Sequence, residues 1–166
     1  MSEDINADYI NEIFENVKKD TSLLANIDID ELLKNMEKNS YLENKTLQNL
    51  LDEKIEILNT LKISLKEKKE LLDKLADYRY IQNIYELHKG KHIRWIRKND
   101  KNTLRISNGS PVTDIIFTDN GTNIQCIGYG FKPRIFQIKW DDCIIFQKLS
   151  VHEQLILMVQ DYIKNK

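Results

Sequence analysis

Along the chain the spacing of apolar residues changes character near Gly90. Before it, leucine and isoleucine recur at intervals of three and four; after it, apolar and polar residues alternate in short runs separated by turn sequences. A 3.6-residue period buries one stripe of a helix, and a two-residue period buries one face of a strand. The pattern therefore predicts an α+β chain with helices first and a small antiparallel β-domain after them.

Residues 1–40 read as short acidic amphipathic helices. Tyr9, Ile10, Ile13, Phe14 and Val17 share one helical face, and a second helix starting at Asp28 or Asp30 buries Leu32, Leu33 and Met36. Residues 41–88 form the expected stalk, a long helix used as a coiled coil or folded into a hairpin. From Tyr41 to Glu86 there is neither Pro nor Gly, and an unbroken helix of that length would reach roughly 65 Å. Leu47, Leu51, Ile55, Leu58, Leu65 and Leu72 make its apolar seam, while Lys62 and Lys69 fall on the strict continuation of the repeat. Polar residues on a seam select register and oligomer state. A homo-oligomer is expected.

Residues 89–149 carry the strand signals. HIRWIRK alternates, a strand over about 112–118 meets Asp119-Asn120-Gly121-Thr122, and the Asn-Gly pair is a hairpin signature. After the GFKP turn, Phe136, Ile138 and Trp140 fall on one face of the next strand and Ile135, Gln137 and Lys139 on the other. Asp141-Asp142 makes a corner, Cys143–Gln147 a closing strand, and Ser150 caps a terminal helix over 150–166 that packs on the β-domain. Several short strands with tight turns favour closure, since closure removes exposed edges. A first strand, a long loop, a three-stranded meander and a closing strand after a tight corner resemble the SH3-like barrels of Tudor and KOW modules. That resemblance implies an antiparallel SH3-like β-barrel and a binding role. The phrases GKHIRWI, FTDNG and FQIKWDDCIIFQKLS are similar to proteins of large double-stranded DNA viruses of eukaryotes, which implies a viral product, virion-associated or scaffolding, and assigns no site.

Charge sharpens this picture. The net charge is −1, but residues 1–40 carry ten acids against four bases, whereas residues 85–166 carry thirteen bases against eight acids. The acidic head and basic tail suit head-to-tail association or an anionic partner of the β-domain. The densest basic stretch, 88–105, holds Lys89, Lys91, Arg94, Arg97, Lys98, Lys101 and Arg105 around Trp95. Bases beside an aromatic ring can hold phosphates and stack a nucleobase. Strand alternation limits the number that share a face, putting Arg94 opposite Trp95 and Arg97, with Trp95 in the core.

Chemistry is thin elsewhere. His88 and His92 flank a glycine with no third ligand at metal spacing, so no metal or other cofactor is expected. There is no phosphate loop and no nucleophile elbow. Cys126 and Cys143 are expected to be buried, reduced thiols in an intracellular chain, since the N-terminus lacks a signal-peptide pattern. No run approaches the roughly 20 apolar residues of a membrane span, and no membrane partner is expected. The sequence thus points to a non-enzymatic assembly or interaction protein, self-associating through its stalk and engaging a protein partner through the barrel. The alternative is a nucleic-acid-binding module that uses the 88–105 segment.

Overall fold

The computed structural model describes Leu42 and residues 44–99 and 104–165. The expectations for 1–40 and the placement of Lys101 lie outside these residues. The chain divides into two compact units, one of residues 51–148 and the other of residues 1–50 with 149–166. Among the described residues the class is α+β: helices α1 (Leu47–Asn59), α2 (Leu65–Lys74) and α3 (Val151–Lys164) accompany six strands.

The uninterrupted helix expected over 41–86 is replaced by α1, α2 and a strand, β1 (Tyr78–Tyr80). The first run ends at Asn59, and Ser64 starts the second. Its hydroxyl accepts from the Glu67 amide at 3.2 Å, and the Glu67 carboxylate accepts from the Ser64 amide at 2.7 Å. This capping box satisfies donors that an interior helical position would have bonded within the helix. Beyond α2 the alternation Tyr-Arg-Tyr suits a pleated strand better than a helix.

The buried face of α1 is also not the expected seam. Leu50, Lys54 and Leu58 are its buried residues, four apart, while Leu47, Leu51 and Ile55 keep 37–43% of their surface exposed. Leu65 is 71% exposed and Leu72 half-buried. Lys54 tolerates burial because its ammonium donates to the Leu75 carbonyl, at the C-terminal cap of α2, at 2.9 Å. A cation there meets the negative end of the helix. Burial nevertheless lowers its pKa, against the opposing pull of Asp77.

The remaining strands are β2 (His92–Arg97), β3 (Ser110–Thr118), β4 (Gly121–Gly128), β5 (Arg134–Lys139) and β6 (Cys143–Lys148). All pairings are antiparallel, in the order β1-β6-β2-β3-β4-β5. The closed barrel expected from the sequence is corrected to an open sheet. β1, which the helical reading hid, occupies the outer side of β6, so β5 finds no partner there. At the β3–β4 turn the positive φ belongs to Gly121 (118°), next to a loop of Asp119 and Asn120, rather than to an Asn-Gly loop.

The sheet must still curl. Trp140–Asp142, a single 3-10 turn, joins β5 to β6, and such a link spans about 8 Å. β5 and β6 stand four places apart in the order, which would be about 19 Å in a flat sheet. The curl encloses Ile93, Val112, Ile124, Cys126, Ile138 and Ile145, with Trp95, Phe136 and Trp140 packed around them. The opposite face of β1, β2 and β6 buries Tyr78, Ile96, Ile144 and Phe146 under Leu58, Leu71 and Leu75 of the helical segment. β6 lies between these two cores, so its run CIIFQ is buried throughout instead of alternating.

A polar knot lies within this unit. Glu86, in the 3-10 turn before β2, accepts from the Gln82 and Asn83 amides at 3.1 and 2.8 Å and pairs with Arg79 at 3.4 Å. Arg79 also donates to the Glu86 carbonyl at 2.9 Å, and the fully buried Gln147 accepts from the His88 amide at 2.9 Å. In the other unit, Ser150 and Glu153 form a capping box at the start of α3. Leu157 packs there with Leu42, Leu50 and Leu149.

The two faces of α1 make a direct comparison. Leu58→Ala should destabilise by about 2–5 kcal/mol, and Leu51→Ala by clearly less, in urea unfolding at a concentration where the chain is monomeric. Equal losses would mean that α1 presents a different face.

Candidate functional site

The basic stretch does not form one patch. Lys89 lies exposed at one end, its ammonium 2.9 Å from Asp114. The hydrogen bond from Lys89, followed by one from the Ile115 amide, holds the Asp114 carboxyl below its usual range. Lys91 is half-buried. Arg94 projects to the face that holds Tyr78, its guanidinium carbon 5.4 Å from the ring centroid. Trp95 packs into the enclosed core against Phe136, ring centroids 5.8 Å apart. Arg97 and Lys98 are exposed at the far end of β2, where Lys98 donates to the Asp141 carbonyl at 3.1 Å. Arg105 is exposed in the following loop. Alternation along β2 and the length of the strand separate these charges into groups.

One group faces the open seam of the sheet. A cavity of about 510 Å³ lies there, lined by Arg97 at the end of β2, Gln137, Ile138 and Lys139 of β5, and Asp142 and Cys143 at the start of β6. The Arg97–Cys143 register pair fixes one wall. The other is β5, which is paired with β4 on one side and ends the strand order on the other. An edge strand offers backbone N–H and C=O groups in a row. Along β5, Arg134, Ile135, Gln137 and Lys139 are exposed, Ile135 to 65%. Tyr129 and Phe131, in the turn that leads into β5, are also exposed, and Lys132 adds a further cation. Neither β5 nor this turn belongs to the basic stretch that the sequence singles out. Lys132, Arg134 and Lys139 were legible as charges, but only the strand order makes them an edge.

The cavity is poorly equipped for nucleophilic chemistry. Burial raises the Cys143 thiol pKa; the nearby Arg97 and Lys98 charges pull it down and Asp142 pushes it up. Burial pushes Cys126 up to about 11. Both are free, buried thiols, and a thiol rather than a thiolate is a weak nucleophile. Among the described residues no three of His, Cys, Asp and Glu converge as metal ligands, and no helix is long and apolar enough to cross a membrane.

The second group lies on the other face of β2, where His92 Nδ1 is 2.8 Å from the Tyr78 hydroxyl. Gly109 presses against the ring. A Cβ on this glycine, whose φ is +94°, would lie 2.3 Å from His92 Cε1 and 2.6 Å from the Ile93 carbonyl oxygen. Burial, then the Lys148 and Arg94 charges, lowers the His92 pKa below its ordinary 6.5. The unfolded chain therefore takes up this proton at a higher pH than the folded one. The contribution is harmless above about pH 6.5 and costs stability as pH falls through that value toward the lowered folded pKa. Urea midpoints between about pH 7.5 and 5 should show wild type losing more stability on acidification than His92→Gln. Parallel curves would show that His92 titrates alike in both states.

The chain matches no protein-family model, no curated protein and no solved structure.

Proposed function

We propose that this chain is a non-enzymatic interaction module whose open β5 edge takes an extended, acidic segment of a partner protein as an added strand. The observation that carries the reading is an edge strand, unpaired on its outer side among the described residues, beside a cavity with cations on both walls. Strand addition draws affinity from main-chain hydrogen bonds and specificity from alternate side chains. On β5 the alternate positions offered outward are Ile135, Gln137 and Lys139, with Arg97 across the cavity. An acidic segment with apolar residues at alternate positions complements that row. The SH3-like part of this reading rests on the order of first strand, long loop, three-stranded meander and closing strand after a 3-10 corner, here in an open ladder. In the viral setting that the sequence resembles, such a module suits a scaffold or virion-associated role.

The nucleic-acid reading has less support, because the 88–105 charges are divided between faces. A short peptide alternating glutamate with valine is a suitable probe for fluorescence anisotropy. It should bind saturably and weaken about tenfold on combined Arg97→Glu and Lys139→Glu substitution. Absence of binding, or equal binding of a lysine-for-glutamate peptide, would overturn the edge assignment. Steeply salt-dependent binding of single-stranded oligonucleotide, lost on the same substitutions, would replace it with the nucleic-acid role.

Self-association belongs to the same proposal, through the exposed line Leu47, Leu51 and Ile55 of α1 seated on a second copy. Leu58 drops out of this seam because it is spent inside the unit. Sedimentation velocity should show an oligomer that Leu51→Glu with Ile55→Glu converts to monomer without loss of helicity. A wild type that is monomeric at every concentration would remove assembly from the function.

A further inference from the structure

We infer that the face shared by β1, β6 and β2 holds an oxyanion site, built from Arg94, His92 and Lys148 around Tyr78, that takes a dianionic phosphate group. The strand register brings these residues together. Tyr78 pairs with Lys148 across β1 and β6, while Ile93 pairs with Gln147 across β6 and β2, so His92 is set beside Lys148 on the same face. Arg94 follows two residues along β2, where successive even positions share a side. Its guanidinium lies over the Tyr78 ring at 5.4 Å, and the Tyr78 hydroxyl reaches His92 Nδ1 at 2.8 Å. Three basic side chains thus surround one phenol.

Two observations point to an anionic ligand for this arrangement. The ion pairs described above, Arg79 with Glu86 and Lys89 with Asp114, involve none of these three cations. In addition, Arg94 Nε is closed off from water with no hydrogen-bond acceptor. A buried donor left unmade is costly, and like charges held close raise that cost. Stacking on Tyr78 offsets part of it. An oxyanion would supply the acceptors and the opposite charge together, and arginine presents its donors in a fork that fits phosphate oxygens.

The parts are held in place beforehand. Tyr78 is buried, its ring packed with Phe146, Ile144 and Ile96 beneath Leu58, Leu71 and Leu75. Gly109 backs the imidazole so closely that the ring has little room to turn. In the tautomer whose Nδ1 accepts from the phenol, neutral His92 carries its proton on Nε2, which is then a donor for the ligand. Bound phosphate would also favour the imidazolium, adding a third positive charge.

The site stands apart from the β5 edge, so the two proposals fail separately. Inorganic phosphate is the probe, titrated into the full chain while the His92 ring resonances are followed by NMR, with chloride held to constant ionic strength. Saturable shifts and a raised His92 pKa in the bound state are expected. Arg94→Gln should weaken binding about tenfold, as should Lys148→Gln, whose exposed side chain makes loss of folding an unsuitable explanation. Lys98→Gln, at the far end of β2, should leave affinity unchanged. Dimethyl phosphate, a monoanion, should bind much more weakly. Shifts that follow ionic strength alone, or that Lys98→Gln reduces as much as Lys148→Gln does, would overturn the site. Equal affinity for dimethyl phosphate would overturn its assignment to a dianion.

Discussion

A three-residue corner, Trp140–Asp142, ties the edge strand β5 to the interior strand β6. The rest of the sheet unit depends on that tie. Because the link is too short to cross a flat sheet, the strands between must bend round, and bending gives the sheet an inside. Ile93, Val112, Ile124 and Ile138 meet there though they come from four different strands. The same corner leaves the seam: it draws β5 toward the mouth formed by Arg97 and Cys143, while β1 keeps β6 from pairing with it. Core and cavity are two results of one connection.

Polar groups in the interior are placed where a backbone end or bend leaves hydrogen-bonding capacity unused. Lys54 meets the carbonyl end of α2, and Glu86 collects two amides of its own turn. Gln147 joins β6 to the segment that enters β2 through the His88 amide. Each group turns a segment end that would otherwise have needed water into part of the packed unit. Glu86 and Gln147 in this way accommodate the short, irregular stretch between β1 and β2.

Much of the β-domain was legible in the sequence because its signals are local. Alternation placed Ile138 inward and Lys139 outward, and the opposition of Arg94 to Trp95 and Arg97 followed from the same rule. The Ser64-Leu65-Lys66-Glu67 pattern was an equally local signal, a capping box that would have divided the long helix had it outweighed the absence of Pro and Gly. β1 was harder. Its three residues, Tyr78–Tyr80, gain their meaning from pairing with Phe146, Gln147 and Lys148, which lie far along the chain. The closed barrel failed for the same reason, since the missing strand takes the place where closure would have occurred. The basic stretch could be read as a run of charges, but Tyr78 and Lys148 join Arg94 only through registers that no local period encodes.

Arg79 and Glu86 form a pair in which each residue is tolerable only in the presence of the other. Arg79 is 1% and Glu86 5% exposed. Removing one charge strands its partner away from water, and such losses are typically larger than the net value of the pair. Seen as a landscape of sequences, the two positions are a narrow pass: single steps lead downhill, whereas an exchange of both for well-packed apolar residues leads to level ground. Chains descended from this one should therefore keep both charges or neither, and drift freely at Lys89 and Asp114, where the partner of a lost charge still has water to turn to.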